Sequence, residues 1–308
     1  MAPEPSGRPV AGPIGGQALV EGVMMRGPRR WAVAVRTPDG RIASETHALP
    51  WDPMDHPWVR LPLVRGIFVL VESLAVGMKA LRISAAYSLA GGDVEVSDKG
   101  IGLAMGVALV IFAAVFIAAP ALAGKLGAQA VGVTSSVGQN LVEGAIRIGL
   151  FLAYVAGISF LPGIRRVYQY HGAEHKTIAA YENGDPLEPG EVDRYSTLHV
   201  RCGTNFLIIV MVITIFVFTL FGSPPLLWRI VSRVVAIPVI AGVAYEALRL
   251  GARFPDSVVM RVLMAPGLWL QRITTQKPDR GQIQVAIASF REVLRRESEA
   301  AGAPGETP

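Results

Sequence analysis

Apolar and polar positions fall along this chain in long blocks. Ile101–Ala123 runs for 23 residues without a charge. At about 1.5 Å per residue, a helix of that length covers the roughly 30 Å hydrocarbon core of a bilayer. Leu141–Leu161 predicts a second span. Glu143 and Arg147 near its start are four residues apart and so placed to pair on one helix face. Asn205–Phe221 predicts a third span, short and intensely apolar, and Pro225–Leu248 a fourth, with Pro238 as a kink. Four spans leave both termini on one side.

Leu61–Leu89 is apolar but interrupted. Arg65, Glu72 and Lys79 recur every seven residues and share one helical face. This predicts a helix lying in the membrane interface or packed against the spans, with a fifth span as the alternative. Upstream the period changes to two. Trp31–Arg36 and Arg41–His47 read as strands joined by the turn residues "PDG", and "GGQALVEGVMMRGP" offers a third strand. Downstream, Ile283, Ile287, Phe290 and Leu294 return at helical spacing and predict an amphipathic helix over Gln282–Arg296. No internal repeat is visible.

The expected fold class is therefore mainly α: a polytopic helical bundle of about four spans with an interfacial helix and a small cytoplasmic β-hairpin region. Residues 1–13 are expected to be disordered, 14–50 to form the β-subdomain and 51–99 the interfacial helix region. The membrane domain is expected over 100–250, with a cytoplasmic loop at 163–204. A cytoplasmic segment follows over 251–300, and 301–308 is read as a disordered tail.

Composition supports a membrane setting, with 51% of the 308 residues hydrophobic. The net charge of +5 could suggest nucleic acid, but its distribution argues otherwise. Arg and Lys collect before the first span, between the second and third, and after the fourth. Cytoplasmic loops of membrane proteins do this, so no nucleic-acid partner is expected. The same rule places both termini in the cytoplasm of a multi-pass protein of the cell membrane. The N-terminal stretch has no apolar h-region, so no cleavable signal peptide is expected. With Cys202 as the sole cysteine, no intrachain disulfide can form.

The candidate chemistry lies in the loop between spans two and three. "YHGAEHK" sets His171 and His175 one helical turn apart, with Glu174 beside them. H-x-x-E-H is the inverted zinc-protease pattern. Two neutral imidazoles hold zinc, and a neighbouring carboxylate takes a proton from water. "LHVRCGTNF" adds His199 and Cys202, so three of the five histidines and the cysteine lie between 171 and 202. The bland reading is a hydrogen-bonded loop without metal. Cys202 has three readings: a metal ligand, a nucleophile with His175 or His199 as base, or a packed thiol. A helix start at Thr204 and Asn205, together with Arg201, would lower its pKa. Glu246 is a further candidate, with an ion pair to Arg249 as the structural reading. Arg229 and Arg233 are read as snorkelling to the interface.

These residues sit in motifs that resemble the YqhQ family of bacterial membrane proteins. "GGQALVEGVMMRGP", "LPLVRGIFVLVESLAVGMKAL", "YHGAEHKTIAAYE", "LHVRCGTNF" and "PGLWLQRITTQKPD" match in order over nearly the whole chain. The chain departs at Val200, where the family usually has proline, and at Gln276-Lys277, where it usually has Arg-Glu. The resemblance implies a multi-span membrane protein of a kind regarded as metal-dependent, with no reaction attached. It adds Glu21, Met24, Arg26, Arg65 and Glu72 as matched positions. For Glu21 and Arg26, structural ion pairs are the alternative.

The functional expectation is a zinc-dependent, hydrolase-like site at the cytoplasmic face, acting on a lipid or membrane-peptide substrate. His171, His175, His199 and Cys202 would be the ligands and Glu174 the base. The alternative is a non-enzymatic scaffold, assembly factor or carrier with a structural His/Cys cluster.

Overall fold

The computed structural model describes residues 14–50, 59, 61–89, 98–222, 224–254 and 257–302. The disorder expected at 1–13 lies outside them. So does 303–308, whereas residues 301 and 302 of the expected tail are helical.

Four short strands, β1 (Gly15–Leu19), β2 (Gly22–Arg26), β3 (Arg30–Arg36) and β4 (Ile42–Ala48), form an antiparallel meander in the order β1-β2-β3-β4. The hairpin expected around "PDG" is β3–β4, with Gly40 at φ 84°. The segment expected to give one further strand gives two. Val20 and Glu21 form a two-residue turn between Leu19 and Gly22, with Glu21 at φ 52°. A non-glycine residue in that left-handed region is uncommon. Here the Glu21 carbonyl accepts from the Arg36 amide at 2.8 Å, and its carboxylate is held by Arg166 at 2.5 Å.

Helices cover both faces of the sheet. Val23, Met25, Ala32 and Ala34 point to one side, where they meet α5 (Pro162–Glu182), the short α6 (Pro189–Val192) and α10 (Arg280–Gly302). Met24, Trp31, Val33 and Val35 point to the other, against Val76 and Ala80 of α1 (Val64–Leu89). Burial on both sides explains why "WAVAV" reads as a continuous apolar run rather than an alternating one. Each fully buried large side chain in these layers, such as Trp31 or Phe290, contributes roughly 1.5–3 kcal/mol. Glu297 ties α10 to the β2–β3 turn by accepting from the Arg29 and Arg30 amides, both at 2.7 Å.

The charged stripe of α1 has a specific use. Glu72 pairs with Arg26 of β2, and Lys79 lies 5.6 Å from the Trp31 ring centre. Arg65 Nε donates to Glu246 Oε1 at 2.6 Å, which joins α1 to the membrane bundle. The apolar side chains Leu70, Val71 and Leu74 point outward, Leu74 being 64% exposed. Charges therefore face protein, and apolar groups face the surroundings. α1 is not among the helices long and apolar enough to span.

Among the described residues, four helical stretches have that length and composition: Gly102–Ala130, Ser136–Ile158, Gly203–Leu220 and Leu226–Gly251. They match the expected spans, and the chain is a multi-pass membrane protein. The first joins α2 (Asp98–Ala113) to α3 (Ala119–Ala130) through a π-helical turn at Ala114–Ala118. The others are α4 (Ser136–Ile158), α7 (Gly203–Leu220) and α8 (Leu226–Arg253). Glu143 and Arg147 do pair, at 2.9 Å. Arg229 and Arg233 do not snorkel: they are 2% and 1% exposed, because α4 carries polar partners for them at the same depth. The helix α9 (Val258–Thr274) was not anticipated. It packs on α7 and leaves Val258, Val259, Val262 and Trp269 exposed.

Candidate metal centre

Helix α5 opens at Pro162, whose fixed φ suits a first helical position. Its middle is buried between the sheet, α10 and the end of α9. Gly172 makes this closeness available. A side-chain carbon there would lie 2.1 Å from the Gln276 carbonyl oxygen and 3.2 Å from Thr197 Cγ2. The helix-weakening glycine of "YHGAEHK" is thus the point at which the α9–α10 connection crosses α5.

His171 and His175 project from α5 with ring centres 4.4 Å apart. His171 Nδ1 donates to the Thr274 carbonyl at 2.9 Å, and His175 Nδ1 donates to the Thr197 carbonyl at 2.5 Å. Both Nε2 atoms are left as acceptors, which is the tautomer a metal ligand requires. Cys202 caps the N-terminus of α7 and places its sulfur 3.2 Å from His171 Nε2. The ligand atoms of His171, His175 and Cys202 all lie within 4.8 Å of one another. Tetrahedral zinc with bonds of about 2.0–2.3 Å needs ligand atoms roughly 3.3–3.8 Å apart, so this trio fits with small adjustments.

The electrostatics suit a cation. Burial, aided by neighbouring His171, lowers the His175 pKa to about 3 and keeps the ring neutral. Burial pushes the Cys202 thiol up, against the opposing hydrogen bonds from Thr204. Arg201, expected to lower it, is paired with Glu182. A free, activated nucleophile is therefore disfavoured without a metal. Glu174 is 5% exposed, and its Oε2 has no hydrogen-bond partner among the described residues. Its carboxyl packs against Gly16 of β1, where a side-chain carbon would come within 2.9 Å. Burial drives its pKa to about 8, with His171 opposing and Cys202 reinforcing.

The other candidates are distributed around this core. His199 stands next to it, with its ring centre 5.7 Å from that of His175, but its nitrogens are engaged. Nδ1 accepts from the Arg201 amide at 3.3 Å, and Nε2 lies 3.2 Å from Glu182. Glu246 is not brought to the cluster, and its partner is Arg65 rather than the expected Arg249. Arg26 and Glu21 form the structural pairs already described, and Arg166 holds the Glu21 carboxyl below the usual range. Lys176 pins the following loop, donating to the Asp193 and Tyr195 carbonyls at 2.5 and 2.6 Å.

Several residues that shape the site were missed by sequence reasoning. Gln271 of α9 accepts from the His199 amide at 2.8 Å and donates to its carbonyl at 2.9 Å, clamping the loop that carries Cys202. Thr197 and Thr274 contribute only backbone oxygens, which no residue-type pattern reveals. The available signal was the polar run after Leu270 inside "PGLWLQRITTQKPD". Beside the loop lies a cavity of about 330 Å³ lined by Glu182, Arg201, Arg261, Met260, Met264 and Leu268, among others.

"Uncharacterized protein YqhQ" of Bacillus subtilis (strain 168) is 35% identical over 297 residues, covering 92% of this chain and 93% of that protein. No solved structure matches. The family described as "Protein of unknown function (DUF1385)" matches residues 61–296, a stretch that holds the whole His/His/Cys group and Glu174. The chain belongs to this DUF1385 family and to the YqhQ family that its motifs resemble.

Proposed function

We propose that this protein is a metal-dependent, hydrolase-like membrane protein whose site opens at the cytoplasmic face. The observation that carries the reading is the convergence of His171, His175 and Cys202. They offer three donor atoms with both imidazole tautomers set, and a cation held by these three would keep a fourth position open. Three protein ligands and an open position are the pattern of catalytic rather than structural zinc. A zinc-class cation would supply Lewis acidity and make water acidic at neutral pH. Glu174, whose buried Oε2 has no partner, would accept the proton once the charge of a bound cation had offset the burial that raises its carboxyl to about 8. Thr274 and Thr197 would orient the ligands, and Gln271 would keep the Cys202 loop in place. The adjacent cavity, lined by Met260, Met264 and Leu268 as well as by Arg201, Arg261 and Glu182, suits a lipid or membrane-peptide substrate. The cytoplasmic placement rests on the uncharged connections 131–135 and 221–225 at the opposite end of the bundle.

One observation favours a second reading. His199 is near enough that release from Glu182 would let it complete a saturated, structural site, and the protein would then act as a scaffold or carrier. Metal content and growth complementation separate the two. Full-length protein purified without chelator and supplied with zinc should hold about one ion per chain, as the three-ligand geometry implies. His175→Ala should lose most of it. Glu174→Gln should keep the metal and fail to complement a deletion strain, with activity down roughly 10²–10⁴-fold. Equal, near-zero metal in wild type and His175→Ala would sink the metal reading. Full complementation by Glu174→Gln, with failure of His175→Ala, would favour the structural site.

A further inference from the structure

The second polar cluster of the molecule lies inside the membrane bundle, remote in sequence from the metal centre. Arg233 Nε and Nη2 donate to Glu143 at 3.2 Å, and Nη2 also donates to Asn140 Oδ1 at 2.7 Å. Arg147 donates to Glu143 at 2.9 Å and, through Nε, to the Phe116 carbonyl in the π-helical turn at 3.1 Å. The Phe218 ring lies under both, 4.1 Å from the Arg233 guanidinium carbon and 5.4 Å from that of Arg147. Arg229 is different. It is 2% exposed and makes one hydrogen bond, to Gln139 at 3.2 Å, and its Nε and Nη1 have no partner among the described residues.

The charges do not balance. Three guanidinium groups, permanently protonated, meet one carboxylate. Among the described residues of the four spans the other carboxylate is Glu246, which is paired with Arg65. Two positive charges therefore remain without a counter-charge. Uncompensated charge in a bundle interior is costly and marks a functional site by default. Cation–π contact relieves Arg147 and Arg233 in part but does not reach Arg229.

Depth indicates the ligand. Arg147 lies eleven residues beyond Ser136, about 16 Å along α4. Arg233 lies about 10 Å along α8, whereas Arg229 lies only about 4–5 Å from its start, close to headgroup depth. We propose that Arg229, backed by the field of Arg147 and Arg233, binds an anion of the phosphate class at this end of the bundle. The ligand is either a free phosphate or the phosphate of a lipid headgroup. Guanidinium groups suit such oxyanions, and the positive end of α8 adds to the attraction.

Equilibrium dialysis of the full-length protein in neutral detergent against radiolabelled inorganic phosphate tests the first source. Retention of phosphatidylglycerol against phosphatidylcholine from mixed vesicles, read by native mass spectrometry, tests the second. Wild type should bind one of the two, and Arg229→Gln should bind it about tenfold or more weakly, as loss of a charge-assisted contact requires. Saturable phosphate binding identifies a free anion, and selective lipid retention identifies a headgroup. If neither binds above a chloride-matched control, or if Arg229→Gln binds as wild type does, the proposal is overturned. If Arg229→Gln does not fold, two other variants decide. Arg229→Lys keeps the charge but loses the planar fork, and Arg229→Met beside it keeps the stem and loses the charge; binding should weaken in the order wild type, Lys, Met, and unchanged affinity in Arg229→Met removes Arg229 as the donor.

Discussion

His171, His175 and Cys202 were legible as a group because residue type and spacing carry their chemistry. One helical turn brings two imidazoles together in any helix. His199 looked equivalent in the sequence but is not, since its nitrogens face the Arg201 amide and Glu182. This difference is testable residue by residue. His199→Ala should keep its metal, whereas Cys202→Ser should lose most of it, read as bound zinc per chain. In the metal-loaded wild type, Cys202 should resist alkylation until a chelator is added. Rapid alkylation of the loaded protein would exclude it from the ligand set, because a bound thiolate is shielded.

At the scale of elements, α5 shows how a local penalty serves a tertiary contact. Alanine is favoured over glycine by about 1 kcal/mol in a helix interior. At position 172 the added carbon would instead meet the Gln276 carbonyl at 2.1 Å, and backbone cannot give way as a flexible side chain can. Gly172→Ala should therefore destabilise, by about 1–3 kcal/mol as overpacking does. It should also lower metal content, since Thr274, two residues before Gln276, orients His171. A Tm equal to or above wild type in thermal unfolding would show that the α9–α10 connection yields easily. α1 makes a related point. Its heptad of charges was visible, but that the charges face the sheet and α8 was not, since Arg26, Trp31 and Glu246 lie far away in sequence.

For the whole molecule, an even number of spans puts the sheet, α5 and α10 on one side of the membrane. Orientation then becomes a single measurable choice. With Cys202 replaced by serine, a cysteine at exposed Ser136 should react with an impermeant maleimide in intact cells. One at Gly184 should react only after permeabilisation. The reverse pattern would invert the topology and move the candidate centre to the outer face.

The spans, the β3–β4 hairpin, the amphipathic α10 and the His/His/Cys group followed from the sequence alone. Each depends on local periodicity or on residue type at short range, where few alternatives compete. Tertiary structure decided the rest. It set which imidazole nitrogens face backbone carbonyls, that the His199 nitrogens are engaged by Arg201 and Glu182, and that Gly172 admits a crossing backbone. It also determined that Arg229 and Arg233 turn inward to α4 rather than outward to the surroundings. Those outcomes depend on carbonyl oxygens and side chains brought together from distant segments, and a backbone oxygen has no signature in a sequence.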